Sequence, residues 1–389
     1  MRVAVIGNGQ SVHVVSRSLA LAARGVSIRL VTLGPSLPAP GIEVRTRPIP
    51  DGPLASAIAL AGFLRDVRSF QPDILHLHYA GGRLGSLALL SGVRPLVVNV
   101  MGGDVLPDQH PGGLSHRARR ATRRILERAD VVLVKSEALL PAVAALADVG
   151  ARAHIVRWGV DPADFFPDAP GAATWRTKLE LSPDAPIILS PRLLRPLYNI
   201  HLIVEGFVEL AREDTRPVLV IAEYGADEEY RRKIEGIIES AELSRRVRFI
   251  GAVPHAEMRG LYSAASAVVM TPSSDGLPQS LMEALACGAP VLLGPLPAYS
   301  EIVENGRSAL MVELNASAIA AGLGKLLSDP DLRNRLAQAG LAAVRERASL
   351  PADVERVVQI FESVRGGAHR TSRPDPWGML LDFVGLARP

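Results

Sequence analysis

The chain has 389 residues, 48% of them apolar and 21% charged, enough for two to three domains of roughly 150 residues and too apolar for a disordered chain. A net charge of +3 gives no footing for a nucleic-acid partner. The single cysteine, Cys287, excludes a disulfide framework and a Cys-rich zinc site and suits a reducing compartment.

The first residues, MRVAVIGNG, go straight into a strand and a turn, so no signal peptide and a cytoplasmic location are expected. RVAVI (Arg2–Ile6) leads through Gly7-Asn8-Gly9 to a helix-like stretch, Ser11 to Ala23. SIRLVT, DILHLH, PLVVNV, DVVLV and AHIVRW follow with helical intervals between them. Short runs of Val, Ile and Leu without alternation are what strands buried on both faces look like, and the βαβα rhythm predicts a parallel sheet. The longest apolar run, Leu54 to Leu64, lies between Asp51 and Arg65. It falls short of the roughly 18 residues of a membrane span and predicts a buried helix.

GVDPADFFPDAPGAA (Gly159–Ala173) is rich in Pro, Asp and Gly and predicts a linker. The rhythm then restarts with APIILS, RPVLVIAE, RVRFIG, SAVVM, APVLLG and SALMVE. From Ala316 the pattern is helical, through Gly324–Arg347 and Pro351–Arg365, before an irregular tail. The expected domains are 1–165 and 171–350, with 351–389 packing back on the first. Residues 1–165 carry a net +7 and the remainder −4, as expected of halves that meet different partners.

Two segments carry the chemistry. In TPSSDGLPQSLMEALACGAPVLLG (Thr271–Gly294) a strand ends in a polar turn. A helix then begins near Pro278 and Gln279 and stops at Cys287-Gly288. Free N–H groups and the helix dipole make such a helix start an anion site. Asp275 and Glu283 beside it suit sugar hydroxyls rather than phosphate; the plain alternative is a cap and a solvated Glu. In IILSPRLLRPLYNIHLI (Ile187–Ile203), Arg192 follows a buried strand and could grip a pyrophosphate, with Arg195 a second candidate; a surface ion pair is the alternative.

These segments resemble glycosyltransferase family 4 (group 1), retaining enzymes of the GT-B fold. The family's E-x7-E run is matched by DGLPQSLMEALACGAPV, with Asp275 and Glu283 in the acidic places. Further matches in order are GNGQSVHVVSRSLALAARG, DILHLH, VKSEALLP with VRWGVDPADFFP, VRFIGAVPHAEMRGLYSAA and SEIVENGRSA. The resemblance implies two Rossmann-like, doubly wound parallel-sheet domains facing a cleft, with C-terminal helices. It implies transfer of a sugar from a UDP- or GDP-sugar to a sugar, polysaccharide or lipid-linked acceptor.

By resemblance, Glu283 binds the ribose, Asp275 holds the transferred sugar and Arg192 neutralises the leaving diphosphate. Gly276, Leu277, Gln279, Ser280, Arg195 and Gly9 complete the donor site. Arginine plus a helix dipole can carry the leaving-group charge, so no metal and no cofactor is expected. Three departures stand out. The first acid is Asp rather than Glu. The usual Lys after the Arg is absent, with Tyr198-Asn199 near its place. The HGxD sequence of many members is MGGD here, putting Met101 where a histidine often stands. His13 and Met101 are the acceptor-side candidates and Asp104 the catalytic one on the first domain. A non-catalytic binding protein and a sugar-nucleotide epimerase on the same fold are the competing functions.

Gly7-Asn8-Gly9 also resembles a nicotinamide-binding loop, but Val12 stands where a third glycine belongs. His76-x-His78 has no third ligand nearby in sequence and predicts a buried strand end. SHRARRATRRILER (Ser115–Arg128) holds six arginines. Ala118, Ala121, Thr122 and Ile125 are expected inward, and Arg117, Arg120, Arg124 and Arg128 outward, with Arg119 and Arg123 beside them. That stripe is either a solvated face or a peripheral contact with anionic membrane or a phosphate-bearing acceptor.

Overall fold

The structure is a computed structural model that describes residues 1–49, 53–110, 112–182, 184–223 and 225–366. The chain divides into two compact units, one built from 1–158 with the chain from Pro351 onward, the other from Gly159–Leu350.

In the first unit, β1 (Arg2–Ile6), β2 (Ser27–Thr32), β3 (Glu43–Thr46), β4 (Ile74–His78), β5 (Leu96–Asn99), β6 (Val131–Val134) and β7 (Ala153–Ile155) form one sheet in the order 3-2-1-4-5-6-7. Every neighbouring pair is parallel. Helices α1 (Val12–Ala22), α2 (Pro53–Ser69), α3 (Gly82–Ser91), α4 (His116–Arg128) and α5 (Leu140–Ala144) run between the strands. The central strands are apolar because both faces are covered: β4, β5 and β6 are buried at every position. Strand β3, EVRT, is a partly exposed edge, and its polar residues give no strand signal. Helix α2 corrects the buried-helix expectation. Phe63 and Val67 face the core, but Ile58 is 65% exposed, so the helix is amphipathic.

The second unit contains α6 (Ala169–Lys178), β8 (Ile187–Ser190), α7 (Ile200–Glu213), β9 (Val218–Ala222), α8 (Glu228–Ser240), β10 (Val247–Ile250), α9 (His255–Ala264), β11 (Ala267–Met270), α10 (Gln279–Ala286), β12 (Val291–Leu293), β13 (Leu310–Met311), α11 (Ala316–Ser328) and α12 (Pro330–Arg347). Its strand order is 10-9-8-11-12-13, again all parallel. The order reverses between β8 and β11, so the loops after these two strands flank the crevice where ligands of such sheets sit. Asp329 breaks the continuous helix expected over Gly324–Arg347. Its Oδ1 accepts from the Leu332 amide at 2.8 Å, and Pro330 opens α12.

The expected linker is ordered structure. Val160 pairs in parallel with Ser349, and its N–H donates to Ala348 O at 2.9 Å while its carbonyl accepts from Leu350 N at 3.0 Å. Asp168 then caps α6 through the Gly171 amide. A Cβ on Gly159 would lie 1.8 Å from Ala348 O, so only glycine permits this approach. After Leu350 the chain returns to the first unit as α13 (Leu350–Val364). Arg24 pairs with Glu355 at 2.5 Å, Arg365 with Asp73 at 3.5 Å, and Phe361 sits edge-on to His76. The part of the C-terminal expectation that concerns 367–389 lies outside the described residues.

Candidate functional site

The site residues of the second unit come from the two loops at the strand reversal. Strand β8 ends in Ser190, and two residues on Arg192 reaches the start of α10. Its Nη1 donates to Ser280 Oγ at 2.8 Å and its Nη2 to Asp275 Oδ2 at 2.6 Å. The guanidinium lies over the Tyr198 ring, 4.5 Å from the centroid. Burial opposes the Arg192 charge, but Asp275 and the neighbouring tyrosine oxygens outweigh it and hold the group firmly protonated. Asn199 ties the two loops together, its Nδ2 donating to Thr271 O and Ser273 Oγ at 2.9 and 2.8 Å.

Helix α10 begins at Gln279 after Pro278 and ends before Cys287 and the left-handed Gly288, the termini expected from sequence. Leu277 is fully buried and has φ +85°. A leucine there is strained. The strain is borne at the entry to α10, where its buried side chain anchors the turn beside Gly276.

Glu283 lies one turn into α10 and is 5% exposed. Its Oε1 accepts from His255 Nε2 at 3.0 Å and its Oε2 from the Tyr262 hydroxyl at 3.2 Å. Burial and the adjacent Glu283 charge push the Tyr262 phenol well up, so it is a neutral donor. Burial alone would lower the His255 pKa, but Glu283 and Asp164 raise it on balance. Neither partner of Glu283 was anticipated. The only sequence signal for His255 is its place at a helix start after β10 in VPHAEM.

Arg195 and Gln279 are placed elsewhere than expected. Arg195 is exposed, and its Nε donates to Gly225 O at 2.9 Å, not to the α10 turn. The Gln279 side chain donates to Gly159 O at 2.8 Å, so only its backbone stands at the helix start.

The first-unit candidates are mostly structural in their contacts. Gly9 has its N–H on Thr32 Oγ1 and its carbonyl on Leu37 N, and a Cβ there would meet Pro35 O at 2.9 Å. It packs against the loop after β2 rather than presenting its backbone. Asp104, expected to be catalytic, is 1% exposed. Its carboxylate accepts from the amides of Ala80, Met101 and Gly102 at 2.7–3.2 Å. Burial raises its pKa against those four bonds. It is a tie between the loops after β4 and β5. Met101 Sδ contacts Arg17 Nη1 at 3.3 Å and Asn99 Nδ2 at 2.9 Å. His13 lies at the start of α1, in its first turn.

His76 and His78 share one face of β4, with ring centroids 4.4 Å apart. Burial, reinforced by Arg17, pushes His76 down to about 3 and His78 likewise downward, so both are neutral core residues. Arg17 lies 5.0 Å from the Trp158 ring centre, and burial pushes it down to about 9 against the pull of Asp353. The arginine helix is rotated from its expected phase. Thr122, Ile125 and Leu126 are buried, while Arg119, Arg120 and Arg123 face out, Arg123 paired with Glu127. Arg117, Arg124 and Arg128 are only partly exposed and already engaged. No helix among the described residues is long and apolar enough to cross a membrane.

A doubly wound sheet with an arginine–carboxylate pair against a helix start sets a fixed cation beside helix N–H groups, an arrangement suited to an anion. The comparisons give the class. Residues 172–342 match the model of glycosyl transferases group 1, and residues 7–164 that of glycosyltransferase family 4. The chain belongs to the family 4, group 1 glycosyltransferases and is an enzyme of that class, with the GT-B fold. Its relatives include the D-inositol 3-phosphate glycosyltransferase of Frankia alni, 29% identical over 85% of this chain and 88% of that protein. Another is the GDP-mannose-dependent alpha-(1-6)-phosphatidylinositol monomannoside mannosyltransferase of Mycolicibacterium smegmatis, 28% identical over 67% of each chain. Among solved structures, Anabaena HepE in complex with UDP and glucose superposes with a TM-score of 0.80 at 16% identity, covering 93% of this chain and all of that one.

Proposed function

We propose that this glycosyltransferase takes a sugar from a nucleoside diphosphate sugar, UDP- or GDP-linked, and transfers it with retention to a sugar or lipid-linked acceptor. The observation that carries this reading is Arg192, held by Asp275 and Ser280 at the start of α10. Transfer develops negative charge on the leaving diphosphate, and a fixed guanidinium beside free helix N–H groups meets that charge without reorganising. Asp275 orients the guanidinium through Oδ2, and its other oxygen is the one assigned to the transferred sugar. Glu283 takes the ribose. The outward arginines of α4, Arg119, Arg120 and Arg123, are the surface assigned to an anionic or lipid-borne acceptor.

Paired variants test this reading. Glu283→Ala should weaken UDP (or GDP) and the sugar nucleotide alike by one to two decades, as expected for a charged hydrogen bond of about 1.5–3 kcal/mol. Asp275→Asn keeps a partner for Arg192 and should leave bare-nucleotide affinity within about threefold while turnover falls by one to two decades. If calorimetry and transfer assays find sugar-nucleotide affinity and turnover untouched in both, the site assignment is wrong.

Because Arg192 and the helix start carry the leaving-group charge, transfer is proposed to need no divalent ion. Enzyme treated with chelator should keep its rate. A rate that disappears and returns with magnesium or manganese would overturn this part.

A further inference from the structure

Glu283 is a buried carboxylate fixed at two points by groups from one helix, α9. His255 stands at its first position and Tyr262 two turns on, each on a different oxygen. Each carboxylate oxygen has two lone pairs, so one on each remains for a further donor. With Tyr262 alone the carboxylate could still turn about its last bond; the His255 contact fixes its plane. His255 is itself held, with Phe165 edge-on at 5.0 Å and 67°.

We propose that His255 is the positioning residue for Glu283. Its Nε2–H fixes the carboxylate so that the remaining lone pairs meet ribose hydroxyls, and it makes nucleotide and proton compete for the site. This rests on the reading that the nucleotide ribose reaches Glu283.

The competition follows from the charges around the ring. His255 faces Glu283 on α10 and Asp164 on the segment before α6, with Asp161 beside Asp164. On its own helix, Tyr262 is neutral, and Arg259 is paired with Asp168 at 3.0 Å. Cys287, just after α10, is pushed up to about 12 by burial and Glu283, so it carries no charge. Two carboxylates therefore hold the imidazolium and raise its pKa. Hydroxyls that donate to Glu283 draw on the same negative charge and loosen that hold. Nucleotide binding then releases a proton, and affinity rises as pH climbs through the His255 titration.

The experiment compares two ligands, UDP or GDP (whichever binds the native enzyme) and inorganic diphosphate, which lacks the ribose. His255→Ala should weaken the nucleotide about tenfold or more and leave diphosphate within about twofold. His255→Gln returns an N–H near the Nε2 position and should recover most of the affinity. The ratio of nucleotide to diphosphate affinity should rise more steeply between about pH 5.5 and 8.5 for the native enzyme than for His255→Gln. Both proteins meet the same ligand ionisation, so the difference between their slopes reports His255. Equal losses for both ligands in His255→Ala, or the same pH slope in His255→Gln, would overturn the proposal. Arg192→Ala separates this from the wider reading. If it leaves both ligands unaffected, the donor site itself is misplaced; if it weakens both while His255→Ala weakens neither, only the role of His255 falls.

Discussion

Arg192→Ala is expected to lower transfer by two to three decades and UDP or GDP affinity by about two, the largest functional effect in the chain. Removing one fixed donor to a developing oxyanion costs a factor of about 10²–10³ in other enzymes. Here the same change also strips Asp275 and Ser280 of their shared partner. The carboxylate left behind is largely buried, with 10% of its side chain exposed, and breaking a buried pair by removing one partner is costly. Arg192→Lys keeps the charge but not the two-pronged geometry, so it should recover only part of the loss. Calorimetry with the nucleotide and a transfer assay decide the matter. Native affinity in a folded Arg192→Ala protein would remove the guanidinium from the mechanism.

Gly159→Ala is expected to give the largest loss of stability from a single added methyl. The new Cβ would sit 1.8 Å from the carbonyl oxygen and 2.1 Å from the carbonyl carbon of Ala348. Both are backbone atoms, so no rotamer change relieves the clash. The two strands must part, losing the Val160–Ala348 and Leu350–Val160 hydrogen bonds, at about 2–4 kcal/mol in all with the strain. For a unit of this size that is a fall in Tm of roughly 5–15 °C. Gly236→Ala on α8 is the control. Nothing lies within 4 Å of its added Cβ, and alanine favours a helix over glycine, so its Tm should hold or rise. Equal behaviour of the two variants in a thermal melt would refute the steric account.

Much of this architecture was legible because its central strands are buried on both faces. The VAVI of β1 and the AVVM of β11 are apolar at every position, as strands covered on both faces are, and the intervals between strands are long enough for crossover helices. Strand β3 was illegible for the opposite reason, since an edge strand with polar side chains has no periodic apolar face. Arg192 and the turn before α10 could be assigned to one crevice from sequence because each lies beyond the end of a buried strand, and strand ends converge in a parallel sheet; that Arg192 bonds Asp275 and Ser280 emerges only from the structure. His255 could not. Its partner Glu283 is 28 residues away on another helix, and only the packing of α9 beside α10 joins them. Asp104 misled because its loop position suggests exposure, whereas the fold turns three amides toward it. In the arginine helix, Thr122 and Ile125 turn inward as their spacing predicts, but the larger Leu126 rather than Ala118 and Ala121 completes the buried face.

The Val160–Ser349 pairing has a topological consequence. Residues 159 and 350, the first and last of the second unit, leave it side by side. A folded segment whose ends emerge together can interrupt a host chain without stretching it, because the host need bridge only the width of two adjacent strands. The second unit thus has the geometry of an insertion between Trp158 and Pro351. The first unit is a discontinuous domain completed by α13, whose own chain must wait until all 192 intervening residues have been synthesised. On the ribosome the second unit can close its core first, and the first unit last, in the reverse of their order along most of the sequence.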